Sequence, residues 1–254
     1  MPATRSSSNS MRNIRLDICY DGTRYRGWQR LSGCEDTIQG KIETALRRIL
    51  GESIEISGSG RTDAGVHAKG QVANFHCESD MPVEMILSQL RRYLPEDIGI
   101  YSCKECAPRF HARLNAREKT YCYKIFNSDG PNVFDRRFSV TMPEVLDLAA
   151  MEQAANLLEG EHDFSAFCGN PHFKKSTVRF VRSVKIKKKG EMLFLEFTGE
   201  GFLQNQVRIM VGTLVEVGRG TRSAESIPAL FGAKRAEAGF LAPAHGLCLM
   251  EVSY

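Results

Sequence analysis

The residues most able to do chemistry lie in one short run, Gly58-Ser59-Gly60-Arg61-Thr62-Asp63-Ala64-Gly65-Val66-His67. Four glycines between Gly58 and Gly70 imply tight turns or the close approach of another backbone. A phosphate-binding loop needs a Gly-x-Gly-x-x-Gly spacing opening a helix, or a terminal Gly-Lys-Ser/Thr. Here Asp63 occupies the third glycine position and no Lys-Ser/Thr follows, so nucleotide binding is rejected. Asp63 and His67 are too few to hold a metal ion. Two readings stay open. Asp63 closes its own loop as an Asx turn. Alternatively, Arg61 holds it ionised, and a positioned carboxylate serves as nucleophile or base. Glycoside hydrolysis, which takes a pair of carboxyl groups, finds only one here.

These residues need elements to position them. Alternation over 13–20 predicts a strand, and Ile38, Ile42, Ala45, Leu46 and Ile49 give a helix from the Asp36–Thr37 cap to Leu50. Strands follow at 53–57 and 71–77, with the glycine-rich stretch 58–70 between them. A helix over 83–93 stops at Pro95, and a strand covers 98–106. The second half repeats the order: a strand at 120–127, a helix at 147–159, a hairpin of 181–188 and 192–198, a helix at 204–217 and a strand at 247–254. The expected fold is α+β, two tandem ferredoxin-like β-α-β-β-α-β halves with a cleft between them. The halves cover 14–107 and 108–254, behind a frayed polar extension at 1–13.

Composition narrows the class. Of 254 residues, 42% are hydrophobic and 25% charged, which excludes a disordered chain. No apolar run is long enough to span a bilayer and no secretory leader is visible, so a soluble cytoplasmic protein is expected. Net charge is only +4, but it is clustered. Eight basic residues and no acidic one fall between Lys174 and Lys189, and Arg109, Arg113, Arg117, Lys119 and Lys124 form a second group. Such clusters suit a polyanion, although a solvated strand face would look the same. Cys103-x-x-Cys106 is the one close cysteine pair, with Cys122 and Cys168 far from it and from each other, so structural zinc is not expected.

The glycine-rich run resembles the catalytic motif of the TruA family of tRNA pseudouridine synthases. Four further segments resemble the family's motifs in family order. They are Tyr20 to Gln29, Phe110 to Arg113 with Lys119 to Tyr123, Phe202-Leu203 with Gln206 to Arg208, and Ala242 to Leu247. The resemblance implies an enzyme that isomerises uridine in the anticodon stem-loop of tRNA, as a homodimer, with no metal or cofactor. It implies Asp63 as the nucleophile, Arg61 and Arg208 beside it, Tyr121 against the uracil and Leu247 as an apolar wall. Arg24, Arg26, Arg113 and Lys124 are expected to contact RNA. A base held in a stem must be turned out before its sugar can be attacked. Two positions depart from the family pattern, Gln204 in place of an aromatic residue and Leu241 in place of a small polar one. Both are expected near the cleft, where they bear on which uridine is chosen.

Overall fold

The computed structural model of the protein describes residues 11–254. The expected extension therefore lies mostly outside the described residues, while Arg12 and Asn13 belong to the first strand. The elements run β1 (Arg12–Tyr20), α1 (Ile38–Leu50), β2 (Ser57–Gly58), β3 (His67–Cys77), α2 (Val83–Tyr93), β4 (Ile98–Glu105) and β5 (Glu118–Phe126). They continue with β6 (Val140–Thr141), α3 (Leu148–Leu157), β7 (Gly160–Asp163), β8 (Val178–Lys189), β9 (Met192–Gly199), α4 (Gln206–Gly218) and β10 (Leu247–Ser253). The class is α+β.

Among the described residues, all strands belong to one ten-stranded sheet, ordered β4-β1-β3-β10-β5-β9-β8-β7, with β2 on β3 and β6 on β5. The two halves of the chain thus share a sheet. They join where β10 runs parallel to β3 through Cys248 opposite His67 and Leu249 opposite Ala68. Gly70 makes that seam possible, since a β-carbon there would stand 2.3 Å from the Met250 carbonyl oxygen. This explains a difference from the sequence reading. The predicted glycine-rich loop ran to Gly70, but β3 begins at His67 because Gly70 is a strand glycine at a point of close backbone approach.

Alternation sets the core face. Ile14, Leu16, Ile18 and Tyr20 of β1 and Leu193, Leu195 and Phe197 of β9 are buried at every second position. The helices cover that side, α1 packing on α2 and α3 on α4, and the buried side chains form a continuous core. Helix ends follow local chemistry. Thr37 caps α1 by accepting from the Gly40 N–H at 3.2 Å, and Gly51 ends it in the left-handed region at φ 73°. Asp147 caps α3 by accepting from the Ala150 N–H.

Other parts of the reading also differ. The strand expected at 53–57 is only Ser57–Gly58. The helix expected from Gln204 starts at Gln206, because Asn205 adopts φ 62°, a left-handed turn that asparagine tolerates. The short strands β6 and β7 carry too little pattern to be read from sequence.

Candidate active site

The loop from Ser59 to Val66 is held at both ends and in the middle. At its start, the Ser59 N–H donates to the Val72 carbonyl at 2.7 Å, and the Ser59 hydroxyl donates to Gln71 Oε1 at 2.6 Å. Gln71 Nε2 in turn donates to the Gly60 carbonyl at 3.0 Å. In the middle, Thr62 is buried. Its hydroxyl pairs with the Tyr20 hydroxyl at 2.8 Å, and its carbonyl accepts from the Trp28 N–H at 3.0 Å. At the end, the Val66 N–H donates to the Asp63 carbonyl, closing a turn with Gly65 at φ +78°. The segment from Tyr20 to Trp28 forms the clamp. A β-carbon on Gly58 would meet the Trp28 ring at 2.6 Å, and one on Gly22 would meet the Val66 carbonyl oxygen at 2.0 Å.

His67 locks the same clamp from behind. It is buried, its Nδ1 accepts from the Gly22 N–H at 3.0 Å, and its Nε2 lies 3.2 Å from the His245 carbonyl oxygen. The Asp21 carboxylate, 3.1 Å from Nδ1, favours the charged ring, but burial outweighs it and holds the pKa below the ordinary histidine value. It does not line the cavity in front of Asp63.

Asp63 is presented at the edge of this loop. Arg208 Nη1 lies 3.2 Å from Asp63 Oδ2, while Arg208 Nε donates to the Ala242 carbonyl at 2.8 Å. The guanidinium is therefore fixed at two points. The Asp63 side chain keeps 29% of its surface exposed against 12% for Arg208, so the acid remains reachable with its counter-ion behind it. This corrects the sequence reading at two points. The turn is closed by the Asp63 carbonyl, leaving the carboxylate free for Arg208. The guanidinium bonded to Asp63 is that of Arg208, because Thr62 turns inward to Tyr20 and the flanking Arg61 is exposed.

In front of Asp63 opens a cavity of about 1440 Å³. Asp63, Arg61, Tyr121, Arg208, Leu247, Arg26 and Arg113 all line it, drawn from both halves of the chain. Tyr121 comes from β5 and lies edge-on to Phe202, with ring centres 5.5 Å apart. Burial and the facing charge of Asp63 raise the Tyr121 phenol above its usual range, so it stays neutral. Tyr123, on the same face of β5, is fully buried and donates to the Pro243 carbonyl. Two expected RNA contacts lie elsewhere. Arg24 forms a forked pair with Asp97 at 2.7 and 2.9 Å, and Lys124 sits on the other face of β5 near the Phe194 ring. Gln204 lines the cavity, and Leu241 does not.

Some lining residues carry no sequence-level assignment. Phe202, Lys119, Lys175 and Arg179 all face the cavity. Phe202 and Lys119 stand inside quoted motifs, and the lysine belongs to a basic cluster, but nothing in the pattern separates them from neighbours that point away. Among the described residues, no three His, Cys, Asp or Glu side chains converge in a metal-binding group. Burial pushes the Cys103 thiol up to about 12.

The profile of the tRNA pseudouridine synthase family matches residues 18–115 and 154–254. The chain belongs to the tRNA pseudouridine synthase family. Membership makes it an isomerase that acts on tRNA. Relatives agree over almost the whole length. The chain is 46% identical to a tRNA pseudouridine synthase A of Bacillus sp. (strain KSM-64), across 96% of this chain and all of the relative. It is 45% identical, over the same shares, to a tRNA pseudouridine synthase A of Pelobacter propionicus. It is 43% identical to the tRNA pseudouridine synthase A 1 of Clostridium tetani, again across 96% of this chain and all of the relative. Among solved structures, a chain of a Cbf5-Nop10-Gar1 complex overlays 93% of this chain and 48% of its own, with a TM-score of 0.38 and 11% identity. That is a loose likeness. No helix among the described residues is long and apolar enough to cross a membrane.

Proposed function

We propose that this synthase converts uridine to pseudouridine in the anticodon stem-loop of tRNA, with Asp63 as the nucleophile and the target base turned out of the stem. The observation that carries this reading is the partly exposed Asp63 carboxylate, paired with Arg208 at the edge of a basic, aromatic-lined cavity. Asp63 attacks the sugar C1′ as the N1–C1′ bond breaks. The uracil turns, C5 bonds to C1′ and the carboxylate leaves. C5 then loses its proton and N1 gains one, so electrons balance without a redox partner. Tyr121 and Phe202 offer aromatic surface to the everted base, and stacking of this kind is worth about 1–3 kcal/mol. Arg208, held by the Ala242 carbonyl, keeps the acid aimed. Arg26, Arg61 and Arg113 line the cavity as cations for the RNA backbone.

The tandem ferredoxin-like reading belongs to the same proposal, with the halves meeting near residue 107. Its support is strand order once the short β6 and β7 are set aside: β4-β1-β3-β2 and β10-β5-β9-β8, fourth-first-third-second in each half. Action as a homodimer is carried over from the family resemblance. The test is direct. Purified protein is incubated with unmodified tRNA, and pseudouridine is mapped by primer extension after carbodiimide treatment. A new stop in the anticodon stem-loop, lost in Asp63→Asn while tRNA binding persists, is the expected result. Turnover retained by that variant would refute the nucleophile. A wild-type protein that binds tRNA without forming adducts would make the chain a binder.

A further inference from the structure

Lys119 is a cation built into the cavity wall, with no counter-charge paired to it among the described residues. It leaves β5 beside the Asp63 loop, and its ammonium lies over Gly60, where a β-carbon would stand 3.5 Å from Nζ. Among the described residues no carboxylate pairs with it. Its neighbour Glu118 is paired with Arg182, Asp63 in the same cavity is paired with Arg208, and Glu55, also in the lining, forms no ion pair with Lys119. From the other elements around it, the strand partners are Gly199 of β9 and Val252 of β10, neither titratable. Gly60 offers only backbone, and Tyr121, two residues along β5, is a neutral phenol. The loop before β5 brings Arg113, a second positive charge. A desolvated ammonium facing a like charge is costly, and the fold gives it no partner. Such a pair is satisfied by an anion that arrives with the substrate. Uracil is neutral, and the anionic part of an RNA nucleotide is its phosphodiester.

We propose that Lys119, with Arg113 beside it, binds a backbone phosphate of the target nucleotide and so fixes the sugar against Asp63. This rests on the reading of the cavity as the uridine site. It makes Lys119 a substrate-binding residue that assembles its ion pair only when RNA is bound. Burial and Arg113 push the free ammonium down to about 8, against the ordinary lysine value of 10.5. A phosphate within contact distance raises it again, so the enzyme takes up a proton as it binds RNA near pH 8.

The experiment uses full-length protein carrying Asp63→Asn, so that tRNA stays unconverted, and titrates unmodified tRNA calorimetrically at about pH 8 in two buffers of different ionisation enthalpy. The expected uptake is about half a proton per site. Adding Lys119→Arg should abolish that uptake and keep most of the affinity, since arginine stays charged. Adding Lys119→Gln should weaken binding roughly tenfold and lower the slope of log K against log salt by about 0.7–0.9, the signature of one lost phosphate contact. A residue that only supports the fold would move neither the salt slope nor the proton count. Uptake that persists in Lys119→Arg, or is absent with lysine in place, overturns the inference, and so does an unchanged salt slope in Lys119→Gln. The arginine variant keeps the test open where the glutamine variant misfolds. A wild-type enzyme that forms no pseudouridine on the same tRNA removes the reading of the site itself, and that result is separate from the other outcomes.

Discussion

The two walls of the cavity are built in opposite ways. The wall that carries Asp63 is a loop, shaped by backbone hydrogen bonds and by glycines that let Trp28 and the Gly22 segment approach. The facing wall is regular structure: Tyr121 from a strand, Arg208 from the first turn of α4, and Leu247 from the first residue of β10. A loop stores its geometry in residue types, so its sequence is unusual and visible. A strand or helix stores it in register, so its functional side chains look like ordinary ones. Tyr121 and Tyr123 show this: they share a face of β5, yet one lines the cavity and the other is sealed against Pro243.

The sharpest way to break this comparison is at the acid. Asp63→Asn keeps the shape of the loop and removes the proposed nucleophile, so turnover should fall by about 10⁴-fold or more with tRNA binding retained. Single-turnover pseudouridine formation measures it. On the other wall, Arg208→Lys keeps the charge but cannot hold Asp63 and the Ala242 carbonyl together. A drop of roughly 10- to 100-fold in kcat is expected, with a smaller change in KM.

A third variant separates support from chemistry. Gly22→Ala drives a β-carbon into the Val66 carbonyl, where the backbone itself must move. A loss of about 1–3 kcal/mol in unfolding free energy is expected, with reduced turnover from a displaced loop. Urea denaturation checks the first and steady-state kinetics the second. Stability retained alongside lost activity would instead place Gly22 at the substrate.

The smallest effect concerns His67. Its folded pKa lies below the ordinary value of about 6.5, so the unfolded chain binds the proton more readily. The stability it contributes is complete above about pH 6.5 and is lost as pH falls through that value toward its folded pKa. Asp21, whose carboxylate is also held below its usual range, gives up its share only in more acidic solution. The thermal midpoint should therefore fall more steeply between about pH 7 and 5.5 in the wild type than in His67→Asn. Parallel profiles would show that the histidine does not titrate in that window.

Much of the fold was legible because the patterns are local. The alternation of Ile14, Leu16 and Ile18 and the spacing of Ile38, Ile42 and Leu46 mark a strand and a helix that the structure contains. What failed to show was set by contacts between distant parts. Gly70 reads as loop until Met250 is seen beside it, and α4 starts late because Asn205 turns left-handed. Arg24 and Lys124 share charge and neighbourhood with Arg26 and Arg113, but Asp97 and the face of β5 direct them elsewhere.

The chain by itself determined that Asp63 sits in a glycine-rich turn, that basic residues cluster, and that strands and helices both form along it. Residue type and short-range spacing carry that information. Only the tertiary structure decided that Arg208, and not Arg61, pairs with the acid, that the sheet closes at β3 and β10, and that Lys119 lines the cavity with no carboxylate paired to it among the described residues. Those outcomes depend on which side chains meet across more than a hundred residues of chain. An ion pair forms where geometry brings charges within a few ångströms, and sequence separation does not set that distance.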